Sequence, residues 1–248
     1  MKICALVSGG KDSIYTLCKM KDEGHEIVVC IYMLNKKESC DSYMYQTVGN
    51  EMIVYLEKVL KIPFIIKETE CNAKNVDLEY KRIENDEVED LYEAIKEAKN
   101  IYNVEGVCSG AIESNYQKNR VENVCSRLNL QSFAPLWKRN QKELLLEMIN
   151  YGIKAIIIKI ASPLLERRHV GVDLKEVYNY LESVESRWDI NYCGEGGEYE
   201  TMTLDCKYFI NRLKIVEGEI CIHPEDVDKQ EEEQVVFYKI KDVLEVEK

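Results

Sequence analysis

The sequence predicts an α/β protein: a parallel sheet with helices on both faces, followed by a smaller α/β domain. Three observations carry this expectation. Short apolar runs alternate with amphipathic stretches through the first half, which is the rhythm of β-α-β units. The first apolar run leads straight into a Gly-Gly turn and then a helical repeat, a strand-loop-helix pattern. Hydrophobic residues make up 46% of the 248, enough to build a sizeable core.

Taken in order, Ile3 to Val7 reads as a buried strand, with Ile14, Leu17 and Cys18 at helical spacing behind it. A second strand is predicted over 27–34 and a helix over 45–60, then strands over 62–66, 106–109 and 132–136 with helices between. Past Trp137 the rhythm loosens. Asn140 and Glu143 match a capping box ahead of Leu144, Leu145, Met148 and Ile149. A strand is predicted over 153–160. Asp173 and Glu176 open a helix whose apolar face is Leu174, Val177, Tyr178, Leu181 and Val184. Strands follow at 202–204 and 209–216. From Pro224 the chain turns acidic, with Glu231, Glu232 and Glu233 in a row, the pattern of a solvated appendage. The domain reading is 1–136 for nucleotide binding, 137–217 for substrate binding, and 218–248 as an acidic tail.

The formal net charge of −12 argues against a nucleic-acid partner, since phosphate contacts need clustered Lys and Arg. Ten cysteines are present, but no two are spaced as a CxxC knuckle, which disfavours a zinc ribbon. The first residues lack the long apolar run of a signal peptide, and no run approaches the ~18 residues of a membrane span. The expectation is a cytoplasmic protein with reduced, packed cysteines and no membrane partner. Nothing in the pattern speaks to oligomeric state.

Chemistry enters at Ser8-Gly9-Gly10-Lys11-Asp12-Ser13. Glycines without Cβ let backbone N–H groups approach an anion, and the helix that follows points its positive end the same way. Lys11 adds charge, and the hydroxyls of Ser8 and Ser13 add donors. Asp12 would repel phosphate by itself, which points to a role in holding Mg²⁺. The loop is not the GxxxxGK[ST] type. It resembles the SGGxDS signature of the PP-loop ATP pyrophosphatases, a HUP-like fold (adenine nucleotide alpha hydrolase) whose members cleave ATP between the α and β phosphates.

A second motif is Cys193-Gly194-Glu195-Gly196-Gly197-Glu198-Tyr199-Glu200-Thr201. Three glycines among three glutamates also fit a polar surface turn. Such acids do not hold phosphates directly; they suit a cation, a base or a metal ligand. SGGKDS and GEGGEYET in one chain are similar to the diphthine–ammonia ligase family. Asp41 to Gly49 (DSYMYQTVG), Ser109-Gly110-Ala111-Ile112, Arg120 to Cys125 and Leu136 to Gln141 agree with this. The similarity runs to about Val216. Pro163 stands where glycine is expected, so no role is carried onto Ala161–Leu165.

The resemblance implies ATP and Mg²⁺ as cofactors and ammonium as co-substrate. The partner it implies is translation elongation factor 2 bearing diphthine. Its reaction converts the diphthine carboxylate to an amide through an acyl-adenylate, with AMP and pyrophosphate released. A PP-loop suits this because it stabilises departing pyrophosphate. It implies catalytic roles for Lys11, Asp12, Glu195 and Glu198, and nucleotide contacts from Ser8, Gly9, Gly10, Lys11, Asp12, Ser13 and Gly110. Asp12 is the metal ligand. The substrate contacts are Tyr45, Gln46, Glu195, Gly196, Gly197, Glu198, Tyr199 and Glu200. Tyr192, Tyr199 and Trp137 are aromatic candidates for the quaternary ammonium of diphthine, with core packing the alternative for each. Tyr43, Tyr45 and Gln46 follow the second strand, where a helix-capping loop is the alternative. Arg120 either neutralises phosphate or pairs with a surface acid. His25, His169 and His223 receive no catalytic role. The competing readings are a tRNA-modifying PP-loop enzyme, disfavoured by net acidity and unpaired cysteines, and a non-catalytic nucleotide sensor, which has no use for the glutamates.

Overall fold

The structure, a computed structural model, describes residues 1–35, 42, 44–71 and 73–248. It divides into two compact units, one of residues 1–8, 12–50 and 61–138, the other of residues 9–11, 51–60 and 139–248.

The first unit contains β1 (Lys2–Leu6), most of α1 (Lys11–Asp22), β2 (Glu26–Asn35), β3 (Phe64–Thr69), α3 (Glu87–Tyr102), β4 (Gly106–Cys108), α4 (Asn115–Arg127) and β5 (Gln131–Phe133). Its five strands are all parallel, in the order β3-β2-β1-β4-β5. Strands covered on both faces must be apolar throughout, and Ile3, Cys4 and Ala5 of the central β1 are buried side by side. The apolar face of α3 (Val88, Leu91, Ala94, Ile95 and Ala98) joins Val29, Ile31, Val107, Val121 and Val124 in one core cluster. Strand order reverses between β1 and β4. Open α/β sheets bind ligands beyond the carboxyl ends of the strands at such a point, so the turns after β1 and β4 are the relevant ones here.

Asp86 anchors this unit. As N-cap of α3 its carboxylate accepts from the Val88 N–H at 3.0 Å, and its other oxygen accepts from the Lys74 and Asn75 N–H groups at 2.9 and 3.1 Å. The whole residue is buried.

The second unit holds α2 (Ile53–Leu60), α5 (Gln141–Tyr151), β6 (Lys154–Ile160), α6 (Leu174–Val184), β7 (Tyr199–Asp205), β8 (Arg212–Ile222) and β9 (Val236–Val246). Its sheet runs β7-β6-β9-β8, with every pairing antiparallel. Asn140 caps α5 by accepting from the Glu143 N–H at 3.0 Å, and Gly152 ends the helix in a left-handed conformation. Asp173 caps α6. Although α2 lies between β2 and β3 in sequence, it packs here: the Val59 carbonyl accepts from the Ile210 N–H at 2.8 Å.

Two elements differ from expectation. The helix expected over 45–60 starts only at Ile53, after a short 3₁₀ turn, because Gly49 takes φ +89°, outside helical backbone. Residues 236–246, expected within a solvated tail, form β9, paired along its length with β8 and at Val236 and Phe237 with β6. Buried Val236, Ile240 and Val243 supply the apolar side of that strand. The exposed run Glu231–Glu233 occupies only the connection. Among the described residues no helix is long and apolar enough to cross a membrane.

Asp86→Ala leaves three inward N–H groups without their acceptor. The expected result is a loss of about 3 kcal/mol in urea unfolding, with the m-value unchanged. Asp86→Asn, which keeps one accepting oxygen, falls between.

Candidate active site

The SGGKDS turn follows β1 with α1 behind it. In the first unit the Ser8 N–H donates to Ser13 Oγ at 3.2 Å, and the two hydroxyl oxygens stand 3.3 Å apart. Gly110, just after β4, lies against the same turn: a Cβ there would be 2.9 Å from both the Asp12 carbonyl carbon and the Ser13 nitrogen. Those are backbone atoms, so glycine is required for the approach. Ser8, Asp12, Ser13 and Gly110 are therefore gathered at the reversal of strand order.

The middle of the turn, Gly9 to Lys11, bonds within the second unit. The Gly9 carbonyl accepts from the Thr203 N–H at 2.8 Å, and the Lys11 N–H donates to Thr201 Oγ1 at 3.0 Å. Gly9 has φ +88°, and a Cβ on it would meet Leu56 Cδ1 and Met202 Sδ at 2.9 Å. The Lys11 side chain is 2% exposed. Its ammonium donates to the Cys193 carbonyl at 2.5 Å and sits 5.0 Å from the ring centre of Tyr199.

The Gly-Glu segment is a double turn running into β7. The Gly194 N–H donates to the Asn191 carbonyl and the Gly197 N–H to the Gly194 carbonyl, at 2.8 and 3.0 Å. Gly194 and Gly197 take φ +73° and +86°, which side chains with Cβ avoid. The Glu198 carboxylate accepts from Asn191 Nδ2 at 2.5 Å and from the Gly196 N–H at 2.9 Å. Gln141 at the start of α5 braces the segment, donating to Asn191 Oδ1 at 3.2 Å and accepting from the Cys193 N–H at 3.0 Å. Glu200 pairs with Lys159 of β6 at 3.2 Å. Glu195 and Glu198 are half-buried, while Gly196 and Gly197 are exposed.

The three glutamates thus do different things, and Tyr199 is structural in its surroundings. It is buried, its hydroxyl donates to the Tyr192 carbonyl at 2.5 Å, and its ring faces the Lys11 ammonium. A second cation beside that ammonium would be repelled. Tyr192 is buried too, and Trp137 is half-buried with the ammonium groups of Lys118 and Lys138 each 5.2 Å from its ring centre.

Tyr45 and Gln46 follow β2 in the first unit. Tyr45 donates its hydroxyl to the Glu87 carbonyl at 3.0 Å, and Gln46 Nε2 donates to the Val48 carbonyl at 2.9 Å. Ser42 Oγ accepts from the Met44 and Tyr45 N–H groups, each at 3.0 Å, and donates to the Glu87 carboxylate at 2.9 Å. Burial pushes the Glu87 carboxyl above its ordinary range, opposed by hydrogen bonds from Ser42 and Tyr116. Tyr43 and Asp41 lie outside the described residues. Arg120 neither reaches the surface nor meets a surface acid. It is wholly buried, donates to the carbonyls of Tyr116, Asn75 and Asp77, and lies over the Tyr116 ring. Its helix, α4, turns it inward, which no local sequence signal announced.

Sequence reasoning did not find Thr201, Thr203, Gln141, Asn191 or Glu87 as parts of this framework. Thr201, Thr203 and Gln141 meet backbone partners distant in sequence, while Asn191 and the Glu87 carboxylate meet side chains, and neither kind of contact leaves a local pattern. Among the described residues no three His, Cys, Asp or Glu side chains are grouped to hold a metal. Asp12 is half-buried in the turn.

The chain was compared with known proteins. The Diphthamide synthase N-terminal domain family matches residues 1–132, and the Diphthamide synthase C-terminal domain family matches residues 140–241. The chain is 45% identical to the diphthine–ammonia ligase of Rattus norvegicus, over 91% of this chain and 87% of that one. It is 42% identical to that of Homo sapiens with the same coverage. The diphthine–ammonia ligase of Schizosaccharomyces pombe is 39% identical, over 90% of this chain and 37% of that one. Two family matches spanning both halves, together with the rat and human relatives at 42–45% identity over 87% of their own length, place the chain in the diphthine–ammonia ligase (diphthamide synthase) family.

Proposed function

We propose that the protein joins ammonia to the carboxylate of diphthine on translation elongation factor 2, giving diphthamide while ATP is split to AMP and pyrophosphate. The observation that carries the reading is the bonding of Gly9–Lys11 to Thr201, Thr203 and Cys193. Through it the family's two motifs, one suited to phosphate and one to cations, share a single framework. The factor's place in translation puts the reaction in the cytoplasm.

In the first step a diphthine carboxylate oxygen attacks the α-phosphorus. The bond to the β-phosphate oxygen breaks, and pyrophosphate leaves. The positive end of α1 and the hydroxyls of Ser8 and Ser13 hold the departing oxygens. Asp12 would help hold Mg²⁺, which would supply charge neutralisation for the phosphates. In the second step ammonia attacks the acyl carbon and AMP leaves with the bonding pair. Ammonium must first lose a proton, and Glu198 or Glu195 takes it. Glu198 is held by Asn191 and Gly196, so its carboxylate has a fixed place, as a general base needs.

The direct test is incubation with ATP, ammonium and diphthine-bearing elongation factor 2. AMP should accumulate in step with a mass change on the factor from carboxylate to amide. ADP as the nucleotide product, or an unchanged factor, contradicts the reading. Asp12→Ala is expected to abolish AMP formation in a protein that still unfolds cooperatively; normal AMP formation removes Asp12 from the metal site. Gly110→Ala should weaken ATP binding at least about tenfold, because its Cβ collides with the backbone of the phosphate turn; unchanged ATP affinity would show that the turn tolerates the displacement. Glu198→Gln should leave ATP affinity within about twofold and lower amide formation about a hundredfold, the scale of a lost general base. Parallel loss of ATP binding would instead assign Glu198 to the nucleotide.

A further inference from the structure

We propose that Lys11 is a positioning residue of the amide-forming half, closing the base of the Gly-Glu turn. This replaces the phosphate contact that its place in SGGKDS implies, and it rests on the functional reading above. Three contacts and one peptide link form a closed circuit. The Lys11 ammonium donates to the Cys193 carbonyl, Cys193 follows Tyr192 in the chain, the Tyr192 carbonyl accepts from the Tyr199 hydroxyl, and the Tyr199 ring faces the Lys11 ammonium. Cys193 and Tyr199 are the two ends of the turn that carries Glu195 and Glu198.

The chemistry explains why a lysine is used. The ammonium of a lysine that is 2% exposed as a residue needs compensating partial charge, and a carbonyl oxygen and an aromatic face supply it from two directions. Both acceptors then become fixed relative to each other. The turn between them needs such a clamp, because Gly194 and Gly197 hold left-handed backbone and glycine has the most conformational freedom to lose. The Lys11 main chain is pinned in turn by Thr201, so the ammonium works from a fixed root. Displacing a general base by about 1 Å costs about a hundredfold in rate, so a clamp at the base of the turn controls the half-reaction that uses the glutamates.

The test uses Lys11→Met, which keeps an unbranched stem without the charge, and Tyr199→Leu, which removes the ring and leaves Lys11 intact. The readouts are ATP KM, ammonium KM, and hydrogen exchange of the amides of 194–198 in the full chain. Both variants should keep ATP KM within about twofold, raise ammonium KM about tenfold or more, and speed exchange at those amides about tenfold. The proposal is overturned if Lys11→Met raises ATP KM about tenfold, the mark of a phosphate contact, or if exchange at 194–198 is unchanged. Should Lys11→Met fail to fold, Tyr199→Leu decides by the same criteria. The exchange measurement needs no substrate, so it stands even if the unaltered protein makes no amide, an outcome that refutes the functional reading alone.

Discussion

The structure depends on how the phosphate turn is held at its middle by one carbonyl and one amide of its own backbone. A backbone that binds an anion must leave its N–H groups available, yet a turn rich in glycine is costly to order. Here the Gly9 carbonyl and the Lys11 N–H carry the anchoring, to Thr203 and Thr201 of β7, while the serine hydroxyls brace each other at the turn's two ends. Because β7 begins at Tyr199, the strand that anchors the turn is also the strand into which the Gly-Glu segment runs. Any shift of β7 is therefore felt by both motifs.

Close approach sets a second constraint. Gly9 and Gly110 are fixed by what surrounds them, Met202 and Leu56 in one case and the backbone of Asp12 and Ser13 in the other. Gly194 and Gly197 are fixed by backbone sign. The Gly-Glu segment then divides its acids by partner. Glu200 is neutralised on the sheet by Lys159, Glu198 is held by an amide side chain and a backbone N–H, and Glu195 shares the turn with two exposed glycines. Three like charges in six residues are tolerable because one has a cation and another has two donors.

The parallel sheet was legible because its strands are buried on both faces, so Ile3 to Val7 and Ile27 to Leu34 stand out as apolar runs. Caps at Asn140 and Asp173 were legible because capping is local. β9 was hidden because the acidic run beside it dominated the composition, although Val236, Phe237 and Tyr238 stand in a row ahead of Ile240, Val243, Leu244 and Val246. The loop motif was legible by residue type, but the inward turn of the Lys11 side chain was not. Its acceptors, Cys193 and Tyr199, are remote in sequence, and a lysine in a phosphate loop reads naturally as a phosphate ligand. Arg120 misled for the same reason: its acceptors are carbonyls of the 75–77 segment and of Tyr116, and carbonyl acceptors have no sequence signature.

The central claim is that ATP is split between its α and β phosphates to activate the diphthine carboxylate. The most direct measurement follows a heavy-oxygen label placed in that carboxylate. The account predicts that the label appears in AMP, because the carboxylate oxygen that attacks the α-phosphorus leaves with it when ammonia displaces the adenylate. Label recovered in inorganic phosphate, with AMP unlabelled, would mean activation through an acyl phosphate and would contradict it.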